Sequence, residues 1–99
     1  MSTYEPDSWV VLKVPAGYKV LGGWSGGYLD GDSWRMNSGI VSVTEDDHFY
    51  NFWGFTGSCY KCPKGGYGLR MSTSGIYEQL KDHVTLMDED TNWLELEYI

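Results

Sequence analysis

The chain has 99 residues, of which 41% are hydrophobic and 21% are charged, and this balance predicts one folded domain over residues 1–99. Its formal net charge is −7, and residues 82–99 alone hold six acids with no lysine or arginine. This charge argues against direct binding to nucleic acid, which attracts basic surfaces, and favours a protein partner with a basic surface. No apolar run approaches the roughly 20 residues of a membrane-spanning helix, so we expect no membrane partner.

The sequence pattern of the first half of the chain predicts β-strands. An apolar run at 9–14 is followed by a second strand signal at 18–24. Two further runs, at 39–44 and 48–55, flank the acidic turn 45–47, which is typical of a β-hairpin.

The second half continues this pattern. Residues 59–62 begin another strand, 63–66 are typical of a turn, and 67–71 are expected to return as a strand. Near the end, apolar and acidic residues alternate over 94–98, which predicts a strand with one face in water.

One helix is predicted near residues 75–84. Ile76, Leu80 and Val84 recur at intervals of four and form one apolar stripe. The predicted fold is therefore mostly β, α+β at most: a small antiparallel barrel or strongly twisted sheet with one short helix.

Cys59 and Cys62 form a Cys-x-x-Cys motif, which can supply two of the four ligands of zinc. Only His48 and His83 could complete such a site, and their spacings fit no standard zinc finger. We therefore predict no bound metal and no cofactor, while the alternative is a small zinc-stabilised structural or interaction domain. Whether these cysteines bind a metal or form a disulfide is open at this point.

No catalytic residues are predicted. Gly23 to Gly27 fits the pattern G-x-S-x-G, but a nucleophile elbow requires a large α/β sheet that 99 residues cannot form. Asp47 and His48 are neighbours in the predicted hairpin, but the sequence associates no nucleophilic side chain with this pair. The sequence thus favours a protein that is not an enzyme.

Aromatic residues make up 16% of the chain, more than in most proteins of this size, and some of them are expected at the surface. An exposed ring among carboxylates is typical of a protein-binding surface, in which charge speeds encounter and the ring provides affinity. The predicted partner-binding residues are five acids with one tryptophan as the aromatic anchor: Asp88, Glu89, Asp90, Trp93, Glu95 and Glu97.

Three stretches carry a resemblance to a known group of proteins. Residues 34–40 (Trp-Arg-Met-Asn-Ser-Gly-Ile), 55–60 (Phe-Thr-Gly-Ser-Cys-Tyr) and Tyr67-Gly68 resemble small acidic accessory proteins encoded by tailed bacteriophages, a family of unassigned function. The resemblance implies an inhibitor or modulator that occupies a basic surface of a host protein or defence complex. It also implies the host cytoplasm as the location, and the polar, acidic first residues agree with a cytoplasmic protein.

Overall fold

The computed structural model describes residues 2–27 and 31–98, which form eight strands, one α-helix and one 3₁₀ turn. The strands are β1 (Thr3–Tyr4), β2 (Ser8–Val14), β3 (Gly17–Gly27), β4 (Gly31–Met36), β5 (Ile40–Glu45), β6 (Phe49–Gly54), β7 (Cys59–Pro63) and β8 (Thr85–Leu86). The 3₁₀ turn is Lys64–Gly66, and the helix, α1, is Met71–Leu80. The predicted mostly β fold with one short helix is confirmed.

The strands are divided between two four-stranded sheets. The first sheet has the order β1-β7-β6-β5, and the second has the order β4-β3-β2-β8. All pairings are antiparallel except that of β1 with β7, which is parallel. Strands β1 and β4 are therefore edge strands, one in each sheet.

The main hydrophobic core lies between the two sheets. Trp9, Val11 and Val20 of the second sheet pack with Phe52 and other residues of the first sheet. The indole nitrogen of Trp9 also donates a hydrogen bond across the gap to the carbonyl of Pro63, at 2.7 Å. A buried indole N–H needs such a partner, so this contact joins the sheets at a fixed position.

The other face of the second sheet is covered by α1. Val10, Leu12 and Leu21 point away from the main core and pack against Ile76 and Tyr77 of the helix. Since β2 is buried on both faces, its sequence is a continuous apolar run rather than an alternating one.

The helix begins four residues before the predicted start. The Thr73 hydroxyl accepts a hydrogen bond from the backbone N–H of Arg70 at 2.8 Å, which ties the first turn together. At the other end α1 stops at Leu80, and residues 81–83 form a turn. Val84 still packs against the cluster of Val10, Leu12 and Leu21, so the apolar stripe continues although the helix does not. None of the helices in the described part of the chain is long and apolar enough to cross a membrane.

Two predicted strands are wrong. Residues 67–71 do not return along β7, because Gly68 has a φ of +146° and redirects the chain into α1. Residues 94–98 form no strand and follow turns instead, including a hydrogen bond from the N–H of Glu95 to the carbonyl of Asn92 at 3.1 Å. The alternation there arises because Leu96 and Tyr98 pack against the main core from this irregular segment.

Candidate functional site

Hydrogen bonds to the backbone of Met87 attach the acidic segment, residues 87–98, to the rest of the protein. The N–H of Met87 donates to the carbonyl of Val11 at 3.0 Å, directly after β8 has paired with β2. The Tyr67 hydroxyl donates to the carbonyl of Met87. The segment therefore leaves the second sheet from a fixed position although it has no regular secondary structure of its own.

Trp93 lies in the core, so its prediction as a surface anchor is wrong. Its side chain is only 2% exposed, and its ring centroid lies 5.8 Å from that of Trp9 and 5.7 Å from that of Tyr67. The Tyr98 hydroxyl donates to the carbonyl of Trp93 at 2.6 Å. Burying this large ring in the core is more favourable in free energy than leaving it in water beside the acids. The buried ring also holds the acidic segment against the core.

The five predicted acids are all exposed on this segment: Asp88, Glu89, Asp90, Glu95 and Glu97. The two ion pairs seen in the described part of the chain, Lys64–Glu45 and Lys81–Glu78, involve none of them. Their negative charge is therefore not neutralised by a lysine or arginine of the described residues.

Two of these acids border a cavity of about 220 Å³ above the core. Glu89 and Asp90 line it together with Lys64, Tyr50 and other aromatic residues. Burial, with the charges of Asp88 and Glu89 adding to it, raises the pKa of Tyr67 to about 12. The Tyr67 hydroxyl thus stays protonated at neutral pH and remains a donor beneath the acidic surface.

The four candidate zinc ligands are not assembled into a site. Cys59 and Cys62 are free and buried in β7, where residues three apart point to opposite faces of the strand. His48 and His83 are exposed in two turns. Within residues 2–27 and 31–98, no group of three or more His, Cys, Asp or Glu side chains is placed to hold a metal ion.

Burial also sets the chemistry of the two thiols. Desolvation raises the pKa of Cys59, and it raises the pKa of Cys62 well above its usual value. A thiol that remains protonated is a poor nucleophile and a poor metal ligand.

A second candidate site lies where the edges of the two sheets meet, and the sequence did not predict it. Tyr4 of β1 and Arg35 of β4 line two adjoining cavities, of about 370 and 240 Å³. The guanidinium carbon of Arg35 lies 4.5 Å from the centre of the Tyr4 ring. We call the larger space the aromatic cavity, because Trp24 and Trp34 line it, and the smaller one the polar cavity.

One residue that lines the polar cavity has a buried donor without a partner among the described residues. Asn37 lines it and is 4% exposed. Its Oδ1 accepts a hydrogen bond from the N–H of Val20 at 2.9 Å, which fixes the orientation of the amide. Its Nδ2 is buried and has no hydrogen-bond partner among the described residues. Such a group costs about 1–3 kcal/mol of stability, so its retention calls for an explanation.

The sequence gives only a weak signal for this site. Tyr4 and Arg35 are far apart in the chain, and no spacing rule joins an edge strand of one sheet to an edge strand of another. The excess of aromatic residues was the only indication, and it did not say which rings would line a cavity.

Comparisons with known proteins find no relative, since no family model, no curated protein and no solved structure matches this chain.

Proposed function

We propose that this protein is a non-enzymatic binding protein, whose acidic segment occupies a basic surface on a protein partner. The observation that carries the proposal is a set of five exposed carboxylates that form no ion pair with any described residue, on a segment that is attached to the core. A charged surface of this kind attracts an oppositely charged partner and raises the rate of encounter.

The attachment of the segment supports this function as much as its charge does. Trp93 and Tyr98 hold the segment at its middle and at its end, and Tyr67 holds it at Met87. A segment that is ordered before binding loses less conformational entropy on association than a disordered tail does. In this proposal Trp93 acts through the position of the acids and does not contact the partner.

The biological context of the proposal is a phage-type inhibitor or modulator in the cytoplasm of a bacterial host. It is supported by the resemblance of residues 34–40 and 55–60 to small phage accessory proteins and by the net charge of −7. The partner would be a host enzyme or a defence complex whose basic surface the acidic segment covers.

The test is recovery of partners from a bacterial lysate by three tagged proteins. The first is the wild type, and the second carries Asp88→Asn, Glu89→Gln and Asp90→Asn together. The third is a matched control in which three exposed acids outside the segment are neutralised: Glu5→Gln, Asp47→Asn and Asp82→Asn. All three proteins should show the same cooperative unfolding, because exposed charges add little stability.

The proposal predicts a protein that the wild type and the control retain at low salt and the segment variant loses. Added salt should release it from the wild type, since screening shortens the reach of the charges. If the three proteins retain the same partners, or if retention is independent of salt, the acidic segment is not the binding surface.

A further inference from the structure

Among the described residues the Arg35 side chain forms no ion pair, although the protein carries twice as many acids as bases. Its guanidinium instead lies over the face of the Tyr4 ring. The edge of a guanidinium carries its N–H donors, and stacking on a ring leaves that edge open. Arg35 thus presents donors to the junction of the two cavities.

The polar cavity is rich in donors, and none of the described residues that line it is an acid. Asn37 lines it and has the buried Nδ2 without a partner among the described residues, and Ser38, Thr56 and Ser58 contribute hydroxyls, of which those of Ser38 and Thr56 share a hydrogen bond at 3.1 Å. Tyr60 also lines it, and burial raises the pKa of Tyr60 to about 12, which keeps its hydroxyl protonated. A guanidinium with several neutral donors and no carboxylate is the environment that an oxyanion requires.

The aromatic cavity has a different composition. Trp24 and Tyr4 stand edge to face, with ring centroids 6.4 Å apart, and Trp24 is half-buried. Glu5 lines the same cavity and is exposed. An indole can stack with a planar heterocycle, and a carboxylate can accept hydrogen bonds from the amino group of that heterocycle.

From these two adjoining cavities we propose a binding site for a free nucleoside monophosphate. The phosphate binds at Arg35 and Asn37 in the polar cavity, and the base lies against Trp24 in the aromatic cavity with Glu5 as an acceptor. Tyr4 lines both cavities and holds Arg35 between them. The site is separate from the acidic segment and does not depend on the proposed function.

The experiment is isothermal titration calorimetry of the wild-type protein with four probes: a nucleoside monophosphate such as adenosine 5′-monophosphate, adenosine, inorganic phosphate and a single-stranded oligonucleotide. The monophosphate should bind saturably and more tightly than adenosine or phosphate alone, because it fills both cavities. The oligonucleotide should bind more weakly, because the net charge of −7 repels a chain of phosphates.

Matched variants assign the binding to this site. Arg35→Gln should weaken binding of the monophosphate by about tenfold or more, and Lys13→Gln, an equal change of charge at an exposed position of β2, should leave it unchanged. Trp24→Leu should weaken it by about fivefold or more, with Trp53→Leu as the control on β6. Thermal melts of each variant confirm that it is folded, and Arg35→Gln decides the outcome should Trp24→Leu not fold.

Three results would overturn the proposal. They are no binding of any nucleoside monophosphate, equal binding by the wild type and Arg35→Gln, and tighter binding of the oligonucleotide than of the monophosphate. The last of these would assign the site to nucleic acid rather than to a free nucleotide.

Discussion

Tyr67 connects three parts of the protein through one side chain. Its hydroxyl accepts a hydrogen bond from the N–H of Val11 at 3.3 Å and donates one to the carbonyl of Met87. Its ring packs edge to face on Trp9, with the centroids 4.8 Å apart. The residue therefore joins the second sheet, the main core and the start of the acidic segment.

We expect Tyr67→Phe to lower the free energy of unfolding by about 1–3 kcal/mol, because it removes both hydrogen bonds and leaves the ring in place. Chemical denaturation followed by tryptophan fluorescence measures the change. Tyr77→Phe, a half-buried tyrosine on α1, is the control and should have a smaller effect. Equal effects of the two substitutions would show that the Tyr67 hydroxyl does not stabilise the fold.

The same hydroxyl predicts the behaviour of the protein at high pH. Burial raises the pKa of Tyr67 and of Tyr60 to about 12, whereas tyrosine in an unfolded chain has a pKa of about 10. The folded state thus favours the neutral phenol. Its contribution to stability is complete below about pH 10 and is lost as the pH rises towards about 12.

Unfolding should therefore become easier between about pH 10 and 12. Urea denaturation at a series of pH values measures this, and absorbance at 295 nm reports tyrosine ionisation in parallel. A stability that stays constant over this interval would contradict the burial of these two phenols.

Two tryptophans illustrate how differently one residue type acts in this fold. Trp93 is 2% exposed, whereas Trp34 is 46% exposed. Trp93→Ala should cost about 3–5 kcal/mol of stability, as large-to-small substitutions of buried aromatic residues do. Trp34→Ala should change the stability by less than about 1 kcal/mol. Thermal and chemical denaturation compare the two, and a destabilisation of similar size in both would contradict the placement of Trp93.

At the scale of secondary structure, the elements with strong local signals were predicted and those that depend on distant contacts were not. The hairpin of β5 and β6 follows from two apolar runs around an acidic turn, in which the Asp46 carboxylate accepts the N–H groups of His48 and Phe49. Strand β7 likewise lies where the sequence predicted it.

Residues 94–98 show why local patterns fail. Their alternation of apolar and acidic residues fits a strand, but they pair with none of the described strands, and β8, not this segment, adds to β2 in the second sheet. Leu96 and Tyr98 reach the core from a series of turns instead. Exposure of the neighbouring acids was predictable from their charge, whereas Trp93 is buried against Trp9, Phe52 and Tyr67, which come from other parts of the chain.

The burial of Cys59 and Cys62 in strand β7 predicts how the two thiols react. Since burial raises the pKa of both thiols, we expect slow reaction with a thiol reagent in the folded protein and rapid reaction of both after unfolding.

We also predict no stoichiometric zinc by elemental analysis and no loss of structure with a chelator. One zinc per chain, with unfolding on chelation, would instead support a zinc-stabilised domain.

At the scale of the whole molecule, the central feature is the separation of charge. Residues 82–99 carry a formal charge of −6, while the other 81 residues carry −1. The structure attaches most of the acidic part to the core through aromatic side chains and leaves its carboxylates exposed. Charge concentrated on an ordered surface acts over a distance of about 30 Å at 0.01 M salt and about 10 Å at 0.1 M.

The most direct test of the proposed function is the association rate constant between this protein and the partner recovered with it, measured at these two salt concentrations. For the wild type, and for the control with Glu5, Asp47 and Asp82 neutralised, association should be fast at 0.01 M and slower at 0.1 M. Neutralising residues 88–90 should slow association at low salt and reduce its dependence on salt. Equal rate constants for the wild type and this variant at both salt concentrations would show that the acidic segment does not attract the partner.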